Sequence, residues 1–192
     1  MTNVLARAVL AESRRYHEQA AKLLSDLDLI HMLKQYGEVK IVGSCAAGLM
    51  MIGDVDIQVV GGPYDHPMIV EIFSKLFSLA YFDQFLMLDI EYVKRMSATF
   101  PAGYYIGPRK TIDGEKWSFD IWFFTKEEEA KQHNEGTLLI SEECIDAGQR
   151  VLILRTKKLA KKRGLSASKD IYRAVLRERV TTLHELEKRL GW

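Results

Sequence analysis

The chain has 192 residues, 28% of them charged, 47% hydrophobic, and a net charge of +1. It is long enough for one packed core with a helical addition. No apolar run approaches the ~20 residues of a membrane span, the start MTNVLARAVLAESRRYHEQA does not read as a secretory signal, and near-neutral charge argues against a surface wholly devoted to nucleic acid. Two cysteines far apart, Cys45 and Cys144, fit neither a disulfide framework nor a zinc site, so a cytoplasmic protein is expected.

Residues 3 to about 35 place Leu5, Val9, Ala20, Leu23, Leu27, Ile30 and Leu33 at helical spacings, as one helix or as two with a cap at Ser25 and Asp28. Glu38–Val42 alternates as a strand that runs into Gly43-Ser44, and a short helix follows over about Cys45–Met51. Asp54–Val60 is the next strand and Gly61–Pro67 a loop. Met68–Leu79 is a helix, and Phe85–Tyr92 is a third strand.

After a break at Pro101 and Gly103, the strands 104–111 and 115–124 form a hairpin turned at Asp113-Gly114. Thr125 with Glu128 caps a helix, and the chain is helical from Ser141 almost to its end. The pattern is that of an α/β (α+β) protein with a mixed sheet: a core over 1–125, including the N-terminal helices, and a C-terminal helical extension packed on it over 126–192.

Aspartate is disfavoured within strands, so two in one strand need a reason. Alternation puts Asp54 and Asp56 on the same face, where their carboxylates converge. A third, Asp120, interrupts the aromatic strand Trp117–Phe124, where burial penalises an unneutralised carboxylate. Three such oxygens suit Mg²⁺, with Mn²⁺ as an allowed alternative. The bland reading is a solvated strand end plus an ion pair at Asp120. Gly43-Ser44, placed ahead of Asp54, favours the metal site, because glycine lets backbone approach a phosphate and a helix start offers amides to it.

Gly43-Ser44 followed by Asp54-Val55-Asp56-Ile57 resembles the signature of the polymerase-β-like nucleotidyltransferase superfamily. That resemblance implies two metal ions held by Asp54, Asp56 and Asp120, and nucleotide phosphates at Gly43 and Ser44. It also implies transfer of a nucleoside monophosphate from a nucleoside triphosphate to a hydroxyl-bearing acceptor, whether small molecule, protein or nucleic-acid end. The run Gly43-Ser44-Cys45-Ala46 with Gly48-Leu49 is also similar to the GrpB-like branch, which implies instead a non-catalytic ligand-binding or interaction module on the same fold.

The hairpin pairs Gly107 with Asp120 and Arg109 with Ser118. Gly107 would leave room for a ligand, and Arg109 would either pair with Asp120 or contact phosphate. The basic run Arg155–Arg163 reads as a solvated helix face or as a phosphate-binding surface. Tyr104, Tyr105, Trp117 and Trp122 read as core aromatics, with stacking on a base as the alternative. Cys45 is expected to pack as a small residue at a helix start that would lower its thiol pKa. The histidines lack ligand spacing, and a homo-oligomer is left open.

Overall fold

The computed structural model describes residues 2–89, 103–134, 140, 145–165 and 167–192. Its centre is a mixed sheet of β1 (Gly37–Val42), β2 (Gly53–Gly61), β3 (Gln84–Leu88), β4 (Tyr104–Ile112) and β5 (Glu115–Thr125), in the order β1-β2-β5-β4-β3. β2 and β5 run parallel and the other neighbours antiparallel. The hairpin register is the expected one, with Arg109 opposite Ser118. Asp113 and Gly114 both take positive φ, as a tight primed turn requires.

The N-terminal segment is two helices, α1 (Thr2–Asp26) and α2 (Leu29–Lys34). The break comes from Asp28, at φ 48°, which makes no side-chain cap, so the expected Ser25/Asp28 cap is absent. Along α1 the buried positions Val9, Ser13, Tyr16, Ala20 and Leu23 alternate spacings of four and three, one stripe facing inward. The short helix α3 is Gly43–Ala46 rather than Cys45–Met51, because the next residues leave the helix to enter the core.

Helix α4 (His66–Ser78) is capped by Asp65, which accepts from the Met68 amide, and it buries Ile69, Ile72 and Leu76. The tail of the third expected strand, 90–92, lies outside the described residues, as does Pro101. Helix α5 (Lys126–Asn134) carries half of the expected box: Thr125 Oγ1 accepts from the Glu128 amide at 3.2 Å, while the Glu128 carboxylate turns to Lys131.

The helical stretch expected from Ser141 almost to the end is, among the described residues, several helices. Residues 141–144 lie outside the described residues, and α6 (Ala147–Lys162) starts at Asp146, whose capping box with Gln149 is complete. Next come α7 (Ser168–Tyr172), continued by a π turn at Arg173–Arg177, and α8 (Leu183–Leu190). No helix among the described residues is long and apolar enough to cross a membrane.

The buried side chains form two clusters. One lies between the sheet's apolar face (Val55, Ile57, Val59, Phe119, Ile121, Phe123) and helices α1, α2 and α4. The other gathers Val9, Leu49, Met51, Leu152, Ile153, Leu154, Ile171 and Val175 beneath the C-terminal helices. The segment Leu49-Met50-Met51 feeds both, with Met50 in the first and its two neighbours in the second.

Candidate active site on the polar face of the sheet

Burial along β2 alternates: Val55 and Ile57 are fully buried, while Asp54 and Asp56 are half-buried on the opposite face. The parallel register sets Asp54 beside Ser118 and Asp56 beside Asp120. One oxygen from each of Asp54, Asp56 and Asp120 lies within 4.8 Å of the others. The face the periodicity assigns to the carboxylates is thus the face on which they meet.

Their surroundings differ. Asp54 Oδ1 accepts from Ser118 Oγ at 2.6 Å. Burial nevertheless raises the Asp54 pKa, and the Asp120 charge adds to the rise. Asp56 is pushed up to about 7, first by burial and then by repulsion from Asp54 and Asp120. Asp120 Oδ1 accepts from the Tyr105 hydroxyl at 2.6 Å, and Arg109 Nη2 lies 3.8 Å from the same oxygen.

The turn that enters this face requires glycine twice over. Gly43 has φ +65°, and a Cβ there would sit 2.2 Å from Asp56 Oδ2. Gly43 thus stands directly beside Asp56, and Ser44, next in the chain, is buried. Arg109 also reaches the acidic face, as the hairpin register requires, but Nη2 donates to the Tyr105 hydroxyl at 3.2 Å. The room expected above Gly107 is taken by that phenol: a Cβ on Gly107 would lie 2.2 Å from the Tyr105 oxygen.

Two expectations are overturned. The Cys45 thiol is pushed up to about 11, not lowered, because burial and the charges of Asp56 and Asp54 outweigh the short helix start. The basic run on α6 is not simply a solvated face. Lys157 is 7% exposed, and its ammonium donates to the Leu49 carbonyl at 2.8 Å and to the Tyr172 hydroxyl at 2.9 Å. Lys161 donates to Tyr16 Oη and the Met51 carbonyl, and Arg150 to the carbonyls of Ala47 and Gly48.

Lys157 is the neighbour of the carboxylates that composition alone could not single out among the lysines of the run. Burial lowers its pKa to about 8, and the nearby Asp54 and Asp56 charges hold it up. Tyr172, beside it, has its hydroxyl pKa raised by burial and by the same two carboxylates. Trp122 and Tyr105 pack on each other with ring centroids 5.0 Å apart. Trp117 and Tyr104 are buried core residues.

The donor set fits a hard divalent cation. It is all carboxylate oxygen, convergent and half-buried, and two of its members hold their protons more tightly than ordinary aspartates.

No family model matches the sequence, and a comparison with curated proteins finds no match. Solved structures do match. The GLD-2/RNP-8 complex superposes with a TM-score of 0.55 at 14% identity, covering 89% of this chain and 59% of that one. The Cid1 poly(U) polymerase, with Mg and 3′-dATP bound, superposes with a TM-score of 0.52 at 20% identity, covering 85% and 52%. The fold is one that this chain shares with these two structures. At these identities the likeness concerns the fold, and this chain spans between half and three-fifths of the length of those two.

Proposed function

We propose that this protein is a polymerase-β-like nucleotidyltransferase that moves a nucleoside monophosphate from a nucleoside triphosphate to a hydroxyl-bearing acceptor. The observation that carries the reading is the convergence of Asp54, Asp56 and Asp120 within 4.8 Å beside the Gly43-Ser44 turn, on a nucleotidyltransferase fold. A nucleic-acid 3′ end is the acceptor class to test first, since a poly(U) polymerase is among the proteins with this fold.

In this reading Asp54, Asp56 and Asp120 hold two Mg²⁺ or Mn²⁺ ions. When bound, such a pair supplies positive charge to the attacking and leaving oxygens of an in-line displacement. Asp120, beside Asp56 in the register, takes the acceptor's proton. Gly43 and Ser44 bring backbone amides and a hydroxyl to the phosphates. Arg109 beside Asp120, and Lys157 near Asp54 and Asp56, set positive charge by the acidic cluster, where pyrophosphate would leave. The division into a catalytic core over 1–125 and a helical extension over 126–192, and a cytoplasmic location, belong to the same proposal.

The test is incubation with Mg²⁺ or Mn²⁺, each nucleoside triphosphate and an RNA with a free 3′ hydroxyl, with the products resolved by size. The Asp120→Ala variant is expected to remain folded and to lose transfer by at least ~100-fold. Full transfer by that variant would sink the assignment. If titration calorimetry shows no nucleoside triphosphate binding in the presence of Mg²⁺, the GrpB-like alternative, a ligand-binding or interaction module, takes its place.

A further inference from the structure

Tyr105 was expected to be a core aromatic, and its ring is one: the residue is 5% exposed and packs against Trp122. Its hydroxyl nonetheless leaves the apolar interior to donate to Asp120 Oδ1 at 2.6 Å. The same hydroxyl accepts from Arg109 Nη2 at 3.2 Å. Gly107, between the two on the same strand, has no side chain, and the phenol fills the space a Cβ would need. The order Tyr105, Gly107, Arg109 therefore lines one face of β4 with a phenol, a gap for it and a cation behind it.

Arg109 by itself cannot orient Asp120, since 3.8 Å is too long for a hydrogen bond. The phenol spans the distance. It ties up Oδ1, and among the described residues no hydrogen bond is made to Oδ2. A carboxylate on a strand can turn about its terminal bond, so fixing one oxygen fixes the direction of the other.

We propose that Tyr105 is the positioning residue for Asp120: by holding Oδ1, with Arg109 as its backing donor, it presents Oδ2 to the divalent cation. The inference rests on the metal-site part of the function proposed above and does not need nucleotide transfer to hold. Partners of metal ligands are worth ~10–100-fold in affinity when removed. Tyr105→Phe keeps the ring and its packing and deletes only the hydroxyl.

Mn²⁺ binding to the whole protein, followed by electron paramagnetic resonance, is the deciding measurement. Tyr105→Phe is expected to weaken Mn²⁺ binding ~10–100-fold. Where transfer is measurable, kcat at fixed metal is expected to fall with little change in nucleotide KM, and raising Mn²⁺ is expected to recover it. Asp120→Asn should show no such recovery. Arg109→Gln, at a half-buried side chain that threatens folding less than the buried Tyr105, is expected to give a smaller loss of Mn²⁺ affinity in the same direction.

Wild-type Mn²⁺ affinity in both Tyr105→Phe and Arg109→Gln overturns the proposal, and so does a lost kcat that no Mn²⁺ concentration restores. Mn²⁺ binding weakened by Tyr105→Phe in a protein that transfers nothing keeps this inference and removes the transferase reading. If the wild-type protein binds no Mn²⁺, both fall together.

Discussion

Asp54 and Asp56 at one end of the acidic cluster, and Asp120 at the other, share a face of the sheet and are held in opposite ways. Asp120 has a phenol bonded to it and a guanidinium close by. The pair has one serine hydroxyl and a lysine that interacts at a distance, and burial dominates its electrostatics. One end of the site is set by hydrogen bonds and the other by withheld water. The first governs direction, whereas the second governs charge, so the two ends should fail differently.

The largest consequence is a dependence of stability on pH that belongs to Asp56. An acid that binds its proton more tightly when folded stabilises the folded chain while it is protonated. That contribution is complete below the ordinary value near 3.8 and is lost as pH rises through about 7. The interval corresponds to an upper bound of about 4 kcal/mol.

Lys157 has the opposite sign, but its window lies between about 8 and its ordinary value of 10.5 and leaves the range from 5 to 7 alone. The metal-free protein should therefore lose melting temperature between pH 5 and 8. Mg²⁺ should restore more of it at pH 8 than at pH 5, and Asp56→Asn should flatten both trends. Unaltered slopes in that variant, read by thermal denaturation, would remove the contrast between the two ends.

A smaller effect is expected at Lys157. Lys157→Met keeps the bulk but strands the Leu49 carbonyl and the Tyr172 hydroxyl, at a cost of about 1–3 kcal/mol. The urea midpoint should fall with an unchanged slope. The smallest expected change is at Ser118. Ser118→Ala removes the 2.6 Å bond that lowers the Asp54 pKa, worth about 1 kcal/mol, and should move the pH-dependent loss of melting temperature to higher pH. A shift to lower pH would show that burial does not dominate at that end.

Much of the site was readable because strands impose strict geometry. Alternation put Asp54 and Asp56 on one face, and the tight turn at Asp113-Gly114 fixed the register that brings Arg109 to Ser118. The start of α6 was readable too. Asp146 and Gln149 form a capping box that the sequence contains, and the expectation of a start at Ser141 passed over it.

Other features were not readable, for a different reason. Lys157 and Lys161 look like any basic helix face until the carbonyls they reach are known, and those belong to a segment more than a hundred residues earlier. Tyr105 was hidden by its ring, because an aromatic in a strand is ordinarily core, and only its last atom departs from that rule.

Arg150, Lys157 and Lys161 fall on one stripe of α6 and fasten, in turn, the carbonyls of Ala47 and Gly48, of Leu49 and of Met51. Between those carbonyls Met50 is sewn into one core and its neighbours into the other. The stretch joining the Gly-Ser turn to the first aspartate is thus a seam stitched from both sides. Such a seam is mechanical: a fragment or chimera that separates the turn and the aspartates from α6 would leave open threads where this molecule has closed ones.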